Sequence, residues 1–413
     1  MRIDISSDSF NLVQGYTRVL LQQGRPILDR DWNEQTAIVL DRLRAVTRSI
    51  YGRHGGPAGG ECGFIPIDGE KQLGLRSGWY TIDGLMLICP SGPGYMATLE
   101  AKKTYLVYLE AIEREVTAAE QESLLDSALP GIDVAARGQV MGRVHHFDWS
   151  EWVNDNTGCS GVNEMVNSWL KEKCKIQESP GITFPEDKNL AGKAKHKHEL
   201  KELARKNPNQ LLRVECHSVE WNSAEGWSKS TWKVSTDNAF VLFRIANLPG
   251  QTQTSSNEIT IRLGALESWI PVKSDFVELL SHENVKFNEP GLLLAVKDVV
   301  ETSHGNVDTV DGRTIEFEKP VNDIAKFAFV RVWNDMFEIT NPQGAEPGDY
   351  WQFSGREGAS TIDTANLKRP SRVFAPLALV STNENRIPKV IQRFQRIMGV
   401  PWREIDEDID LPN

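Results

Sequence analysis

From Leu211 onward the sequence is a train of short apolar runs separated by turn residues: "LLRVECHSVEW", "WKVSTDNAFVLFRI", "NEITIRLG", "GLLLAVKDVVET", "RTIEFEK", "KFAFVRVW", "DMFEIT", "DYWQFSG" and "APLALVS". The runs are rich in β-branched and aromatic residues, and Gly, Pro, Asn, Asp and Ser cluster between them. Strands that follow one another at such intervals pair antiparallel, in sandwiches or barrels. Residues 210–400 are therefore expected to form a large antiparallel β body.

Upstream the pattern changes. In "GWYTIDGLMLICP" an Asp-Gly pair interrupts an apolar run, which favours a hairpin, and "TYLVYLEAIEREV" reads as a further strand. Residues 62–148 are expected to be a small β domain, in which "DVAARGQVMGRVHHF" reads as a short helix leading into a strand. Residues 149–209 lose the apolar pattern. Their segment 186–206 carries seven Lys/Arg against four Asp/Glu and reads as a polar, basic, partly helical insertion on the body surface. The tail 401–413 has five acidic residues in seven and reads as solvated. The fold class expected is α+β, mainly β: an N-terminal amphipathic helix followed by antiparallel β domains.

That helix lies in residues 1–61, an arm ending in a glycine-rich hinge. From Asp31 to Ile50 the residues Trp32, Val39, Leu43, Val46 and Ile50 recur at three- and four-residue steps. "YGRHGGPAGGECG", with six glycines and a proline in thirteen residues, ends it and reads as a flexible connection.

A chain of 413 residues has room for two or three domains, and 40% hydrophobic with 25% charged residues is a globular composition. A net charge of -11 argues against phosphate neutralisation, so no nucleic-acid partner is expected. Five cysteines (Cys62, Cys89, Cys159, Cys174 and Cys216) without a CxxC pair suggest free, mostly buried thiols in a reducing compartment. No apolar segment resembles a signal peptide or a membrane span, so a cytoplasmic location is expected, with membrane contact left open.

The densest polar cluster is "PILDRDWNEQTAI". Asp29, Asp31 and Asn33 imitate positions 1, 3 and 5 of a calcium loop, but Glu34 stands where the turn glycine belongs and Leu40 where the bidentate glutamate belongs. Helix initiation suits the residues better, with Asp31 as N-cap and Glu34 at the third position of a capping box. The apolar face of Trp32, Val39, Leu43 and Val46 then packs on the β body or on a neighbouring subunit, since a lone amphipathic helix of this length is marginal.

Other signals favour plain structure. "RHGGPAGG" resembles an oxyanion loop, but no GxSxG elbow accompanies it. In "KHKH" the residues His196 and His198 lie two apart among lysines, a poor zinc geometry. The acids around "KSDFVELLSHEN", with Glu316 and Glu318, offer glycosidase-like pairs without specificity. Neither a P-loop nor a dinucleotide fingerprint occurs. No enzyme, cofactor or metal is expected.

Several blocks together resemble a family of unknown-function proteins. Residues 6–46, "SSDSFNLVQGYTRVLLQQGRPILDRDWNEQTAIVLDRLRAV", followed by "YGRHGGPAG", look like its opening: Gln-Gly-Arg, then Leu-Asp-x-Asp-Trp-Asn-Glu-Gln. "SGWYTIDGLML", "YLVYLEAIEREVT", "NQLLRVECHS", "WKVSTDNAFVLF", "PGDYWQFSGR" and "FAPLALVS" follow in the family's order. The resemblance spans most of the chain outside the insertion and the tail. Such proteins are associated with phage-tail-like contractile injection systems. The resemblance implies a structural subunit: a cap, adaptor or baseplate element in a homo-oligomeric ring, sixfold in one form, touching tube, sheath, cap or baseplate proteins. The chain departs from the family at "QFSGREG" and in its basic insertion, making Lys193, Lys195 and Lys197 candidate partner contacts. The alternative is a carbohydrate-binding or tail-fibre-like module that stacks sugars on Trp221, Trp227 and Trp232.

Overall fold

The computed structural model describes residues 1–57, 62–69, 72–89, 99–129, 133–150, 161–176, 184, 190–191, 196–206, 209–222, 227–246, 255–263, 270–273, 275–301, 312–340, 344–357, 362, 365–394 and 397–398. It is mainly β. The chain does not divide at linear boundaries. One compact unit comprises Met1–Thr36, Arg114–Gln139 and Ser179–Pro370, and the other Ala37–Glu113, Val140–Glu178 and Ser371–Asn413.

The first unit holds a sheet and a barrel. The sheet runs Tyr350–Ser354, Leu211–Asn222, Trp227–Ser235, Asp335–Thr340 and Leu190–Ala191 in spatial order. The closed barrel runs Leu242–Ile245, Ser255–Arg262, Gly312–Asn322, Leu292–Glu301, Phe276–Leu280 and Phe329–Trp333. Period-2 alternation divides each strand between two faces. Leu212, Val214 and Cys216 join Trp232, Phe337, Trp351 and Phe353 in one apolar core, while Val277, Leu279, Ile315, Phe317 and Val330 fill the barrel.

Two stretches of the expected insertion belong to cores rather than to a surface. The side chain of Phe184 and that of Leu200, on the helix His196–Lys206, lie in the sheet's core. Another insertion helix, Val162–Ile176 in the second unit, buries Val166, Trp169 and Leu170 against Leu106, Trp149 and Leu379. Polar composition hides them because each helix needs only one apolar stripe to dock.

In the second unit a four-stranded sheet runs Pro388–Arg393, Arg372–Thr382, Thr104–Val116 and Arg137–Asp148. Along Thr104–Val116 the residues Tyr105, Val107, Leu109 and Ala111 enter one core, and Leu106 with Tyr108 enters another. Covering both faces makes the run continuously apolar instead of alternating. A smaller sheet runs Ile397–Met398, His54–Pro57, Gly78–Ile82 and Leu85–Cys89. The Asp-Gly hairpin is present, with Asp83 and Gly84 at φ 48° and 81°, the positive values a tight two-residue turn requires.

Three local expectations are corrected. "DVAA" (133–136) has no helix, and the strand begins at Arg137. His54–Pro57 is a strand paired with Gly78–Ile82, with Gly55 and Gly56 buried, rather than a flexible hinge. The strand holding "APLALVS" pairs with Thr104–Val116 of the small sheet, not with the larger body. Partners that far apart in sequence cannot be read from local pattern. The tail 401–413 lies outside the described residues.

Candidate interaction surface

The "DRDWNEQ" block starts the helix Asp29–Tyr51, here α1, but in another register from the expected one. Leu28 stands at the cap, and its N–H donates to Asp31 Oδ2 at 3.2 Å, so Asp31 does at the third position what Glu34 was expected to do. Asp29 and Glu34 are then available to the arm. Ser6 donates from its N–H and its hydroxyl to Asp29 at 2.8 and 2.6 Å, Ser9 donates to Glu34 at 2.5 Å, and the N–H of Val19 donates to Gln35 at 2.9 Å. Burial raises and the Ser6 bonds lower the Asp29 pKa, and the bonds prevail. These acids therefore clamp a chain segment; Asn33 is exposed.

Residues 1–7 are anchored farther in. The Asn238 amide donates to the carbonyls of Met1 and Ile3 at 3.1 and 2.9 Å, and the Ser354 hydroxyl donates to that of Ser6 at 3.2 Å. Arg2 is buried, donating to both Glu215 oxygens at 2.9 and 3.0 Å and to Asn288 at 2.7 Å.

Arg2 thereby enters a charged layer inside the first unit. The sheet strands supply Arg213, Glu215 and Lys233, on the face opposite Val214 and Trp232. The barrel strands supply Glu278 and Arg331, adjacent in register. Lys233 Nζ lies 2.6 Å from Glu278 and 3.2 Å from Glu215, and 4.4 Å over the Trp333 ring. Arg213 donates to Glu215 at 2.7 Å and stacks 3.6 Å over Tyr350. Burial alone would raise the Glu215 pKa, but Arg2, Lys233 and Arg213 hold it well below the usual carboxylate range. Glu278 behaves likewise, lowered mainly by Lys233. Burial, and next Arg2, pull Arg331 down to about 10. Carboxylates held this far into the ionised form are weak bases, and their role is to fix the packing of sheet, barrel and Arg2.

The second unit has a smaller version. Glu110 accepts from Arg372, from Arg143 at 3.1 Å, and from His145 at 2.6 Å, and His145 stacks on Tyr108 at 5.1 Å. Despite burial, His145 and Arg372 hold Glu110 at about 2.

Apolar side chains lie outside instead. Trp32 is 73% exposed, and Val39, Leu43, Val46 and Ile50 are each more than half exposed, so of the two expected coverings, the β body and a neighbouring subunit, the first is not seen. Ile38 is the residue that α1 buries. Between Leu12 and Ile27 the arm also exposes Leu12, Val13, Tyr16, Leu20, Leu21 and Ile27, with Val13 at 93%. The sequence reading missed these arm residues, although "VLLQQGRPIL" is apolar without helical or strand periodicity. Large apolar side chains exposed in groups, unlike ones scattered singly, mark interaction surfaces.

The other candidates separate. Trp232 is wholly buried, its indole donating to Ser230 at 2.6 Å and lying 4.4 Å from Trp351, so it cannot stack a sugar. Trp221 is exposed on its strand. The side chains of Trp227, Lys193, Lys195, Lys197, His196 and His198 lie outside the described residues. Cys62, Cys89 and Cys216 are buried free thiols whose pKa burial raises; Cys159 and the Cys174 side chain lie outside the described residues. Among the described residues no group of three or more His, Cys, Asp and Glu is placed to hold a metal ion, and no helix is long and apolar enough to cross a membrane.

Residues 1–64 match a sequence family described as "Family of unknown function (DUF6519)". No curated protein matches the chain. Among solved structures the chain is similar to "Crystal structure of TssK" at 10% identity and a TM-score of 0.18, covering 79% of this chain and 99% of that one.

Proposed function

We propose that the protein is a non-enzymatic structural subunit of a phage-tail-like contractile injection particle, serving as a cap, adaptor or baseplate element. The observation that carries the reading is the set of apolar side chains left exposed on α1 and on the arm, whose Ser6, Ser9 and Val19 are held in place by Asp29, Glu34 and Gln35. This stretch lies inside the segment that matches the family, and it opens the ordered series of blocks that resemble particle-associated proteins. A surface that is apolar, ordered and open is suited to burial in an assembly. The carboxylates deepest in the protein are engaged by cations, which suits a structural body better than proton transfer. Partners are the tube, sheath, cap or baseplate proteins of that particle, and copies of the chain arranged in a ring.

The test is a strain lacking the gene. The expected result is particles that are absent, truncated or unable to contract, restored by the wild-type gene. Full-length, contraction-competent particles in that strain would overturn the reading.

A further inference from the structure

Helix α1 carries more than a general apolar face. Trp32, Thr36, Val39, Leu43, Val46 and Ile50 follow one another at steps of four, three, four, three and four, the spacing of a coiled-coil seam, and all six are exposed. Its other side is occupied. Arg44 pairs with Glu113 at 2.8 Å and Arg48 with Asp83 at 3.4 Å, and the hairpin turn comes so close that a Cβ on Gly84 would lie 2.8 Å from the Arg44 backbone. The helix is therefore pinned with its seam facing outward.

We propose that this seam pairs with the same seam on a second copy of the chain. The flanking positions bear on which partner fits. Asn33, Gln35, Leu40, Thr47 and Ser49 are uncharged and Arg42 is the one charge among them, so an identical helix meets no block of like charge and a strongly charged partner helix finds little to pair with. Pairing two such stripes covers on the order of 1,200 Å², the lower end of a specific interface. Leu43 lies beside the centre of the seam, so it faces its counterpart if the helices run parallel, and if they run antiparallel it faces Val39 of the other copy and lies one layer from its counterpart. The contact is a property of α1 and stands apart from the particle assignment, and its test uses purified protein alone.

The experiment is analytical ultracentrifugation of the purified full-length chain over a range of concentrations, with Leu43→Glu and Leu43→Lys measured separately and mixed in equal amounts. The expected result is concentration-dependent self-association of the wild type, weakened at least tenfold in each variant and recovered in the mixture, where opposite charges meet. Circular dichroism and melting temperature of each variant should match the wild type, since Leu43 is exposed; Val46→Ser provides a milder second variant that should also weaken association. A wild type that stays monomeric throughout overturns the proposal and assigns the seam to another protein. Variants that associate like the wild type, or a mixture that does not recover, place any self-contact elsewhere and overturn it too.

Discussion

The β body of the first unit and the stretch from Leu12 to Ile50 invert the usual division of residues. In the body Arg2, Arg213, Lys233, Arg331, Glu115, Glu215 and Glu278 are all buried, while along the arm and α1 side chains as large as Trp32, Leu21 and Ile50 are exposed. Burial is favourable for apolar groups and costly for charges unless they are paired. For Arg2, Arg213, Lys233, Glu215 and Glu278 the body meets that cost within one chain through short, multiple ion pairs. The arm and helix leave their apolar side chains uncovered by their own chain.

The contrast breaks most readily in the charged layer. Glu215→Gln leaves Arg2, Arg213 and Lys233 short of their shared partner, and we expect a loss of about 3–5 kcal/mol in urea unfolding. A change below about 0.5 kcal/mol would mean that the layer is solvated rather than structural. Trp232→Ala should cost about 3–5 kcal/mol, whereas Trp221→Ala should stay within about 0.5 kcal/mol, separating the core indole from the exposed one. Equal effects would contradict their burial.

The smaller charge cluster sharpens the contrast through pH. The folded pKa of Glu110, about 2, lies below the ordinary 4.5, so between these values the unfolded chain binds more protons. The stability it contributes, at most about 3.4 kcal/mol, is fully present above pH 4.5 and is lost as pH falls toward 2. Glu110→Gln should flatten that part of the pH–stability curve; an unchanged acid limb would show that Glu110 is not the group responsible. Gly84→Ala should cost about 2 kcal/mol in thermal unfolding, because φ is positive and the new Cβ meets the Arg44 backbone. No effect would show that α1 is not pinned at the turn. At the small end, Val46→Ser measured on dilute protein should change stability by less than about 0.5 kcal/mol. A large loss would show that the stripe packs within the chain after all.

What was legible in the sequence follows the same line. The antiparallel strands, the Asp83-Gly84 hairpin and the single long N-terminal helix each leave a local signature, and each is present. The charged layer leaves none, because "LLRVECH" alternates just as a half-solvated strand does, and nothing local says that the Arg213 and Glu215 face meets a barrel instead of water. The period of α1 was legible while the fate of its face was not: Trp32, Val39, Leu43 and Val46 announce a surface to be buried without saying in which molecule. Asp favours the cap position, which points to Asp31 as the cap, whereas the structure uses it three residues into the helix, where the Leu28 N–H needs an acceptor. Interleaved units escape any reading that cuts a chain at linear boundaries.

The most direct test of an arm and helix completed in trans is sedimentation of a gentle native lysate through a density gradient, with electron microscopy of the heavy fractions, for the wild type and for Leu43→Glu. Wild-type protein is expected in the fractions that hold tubular, sheathed particles, and the folded variant in the light fractions. Wild-type protein recovered only as a light species, or a variant that travels with the particles as fully as the wild type, would contradict it.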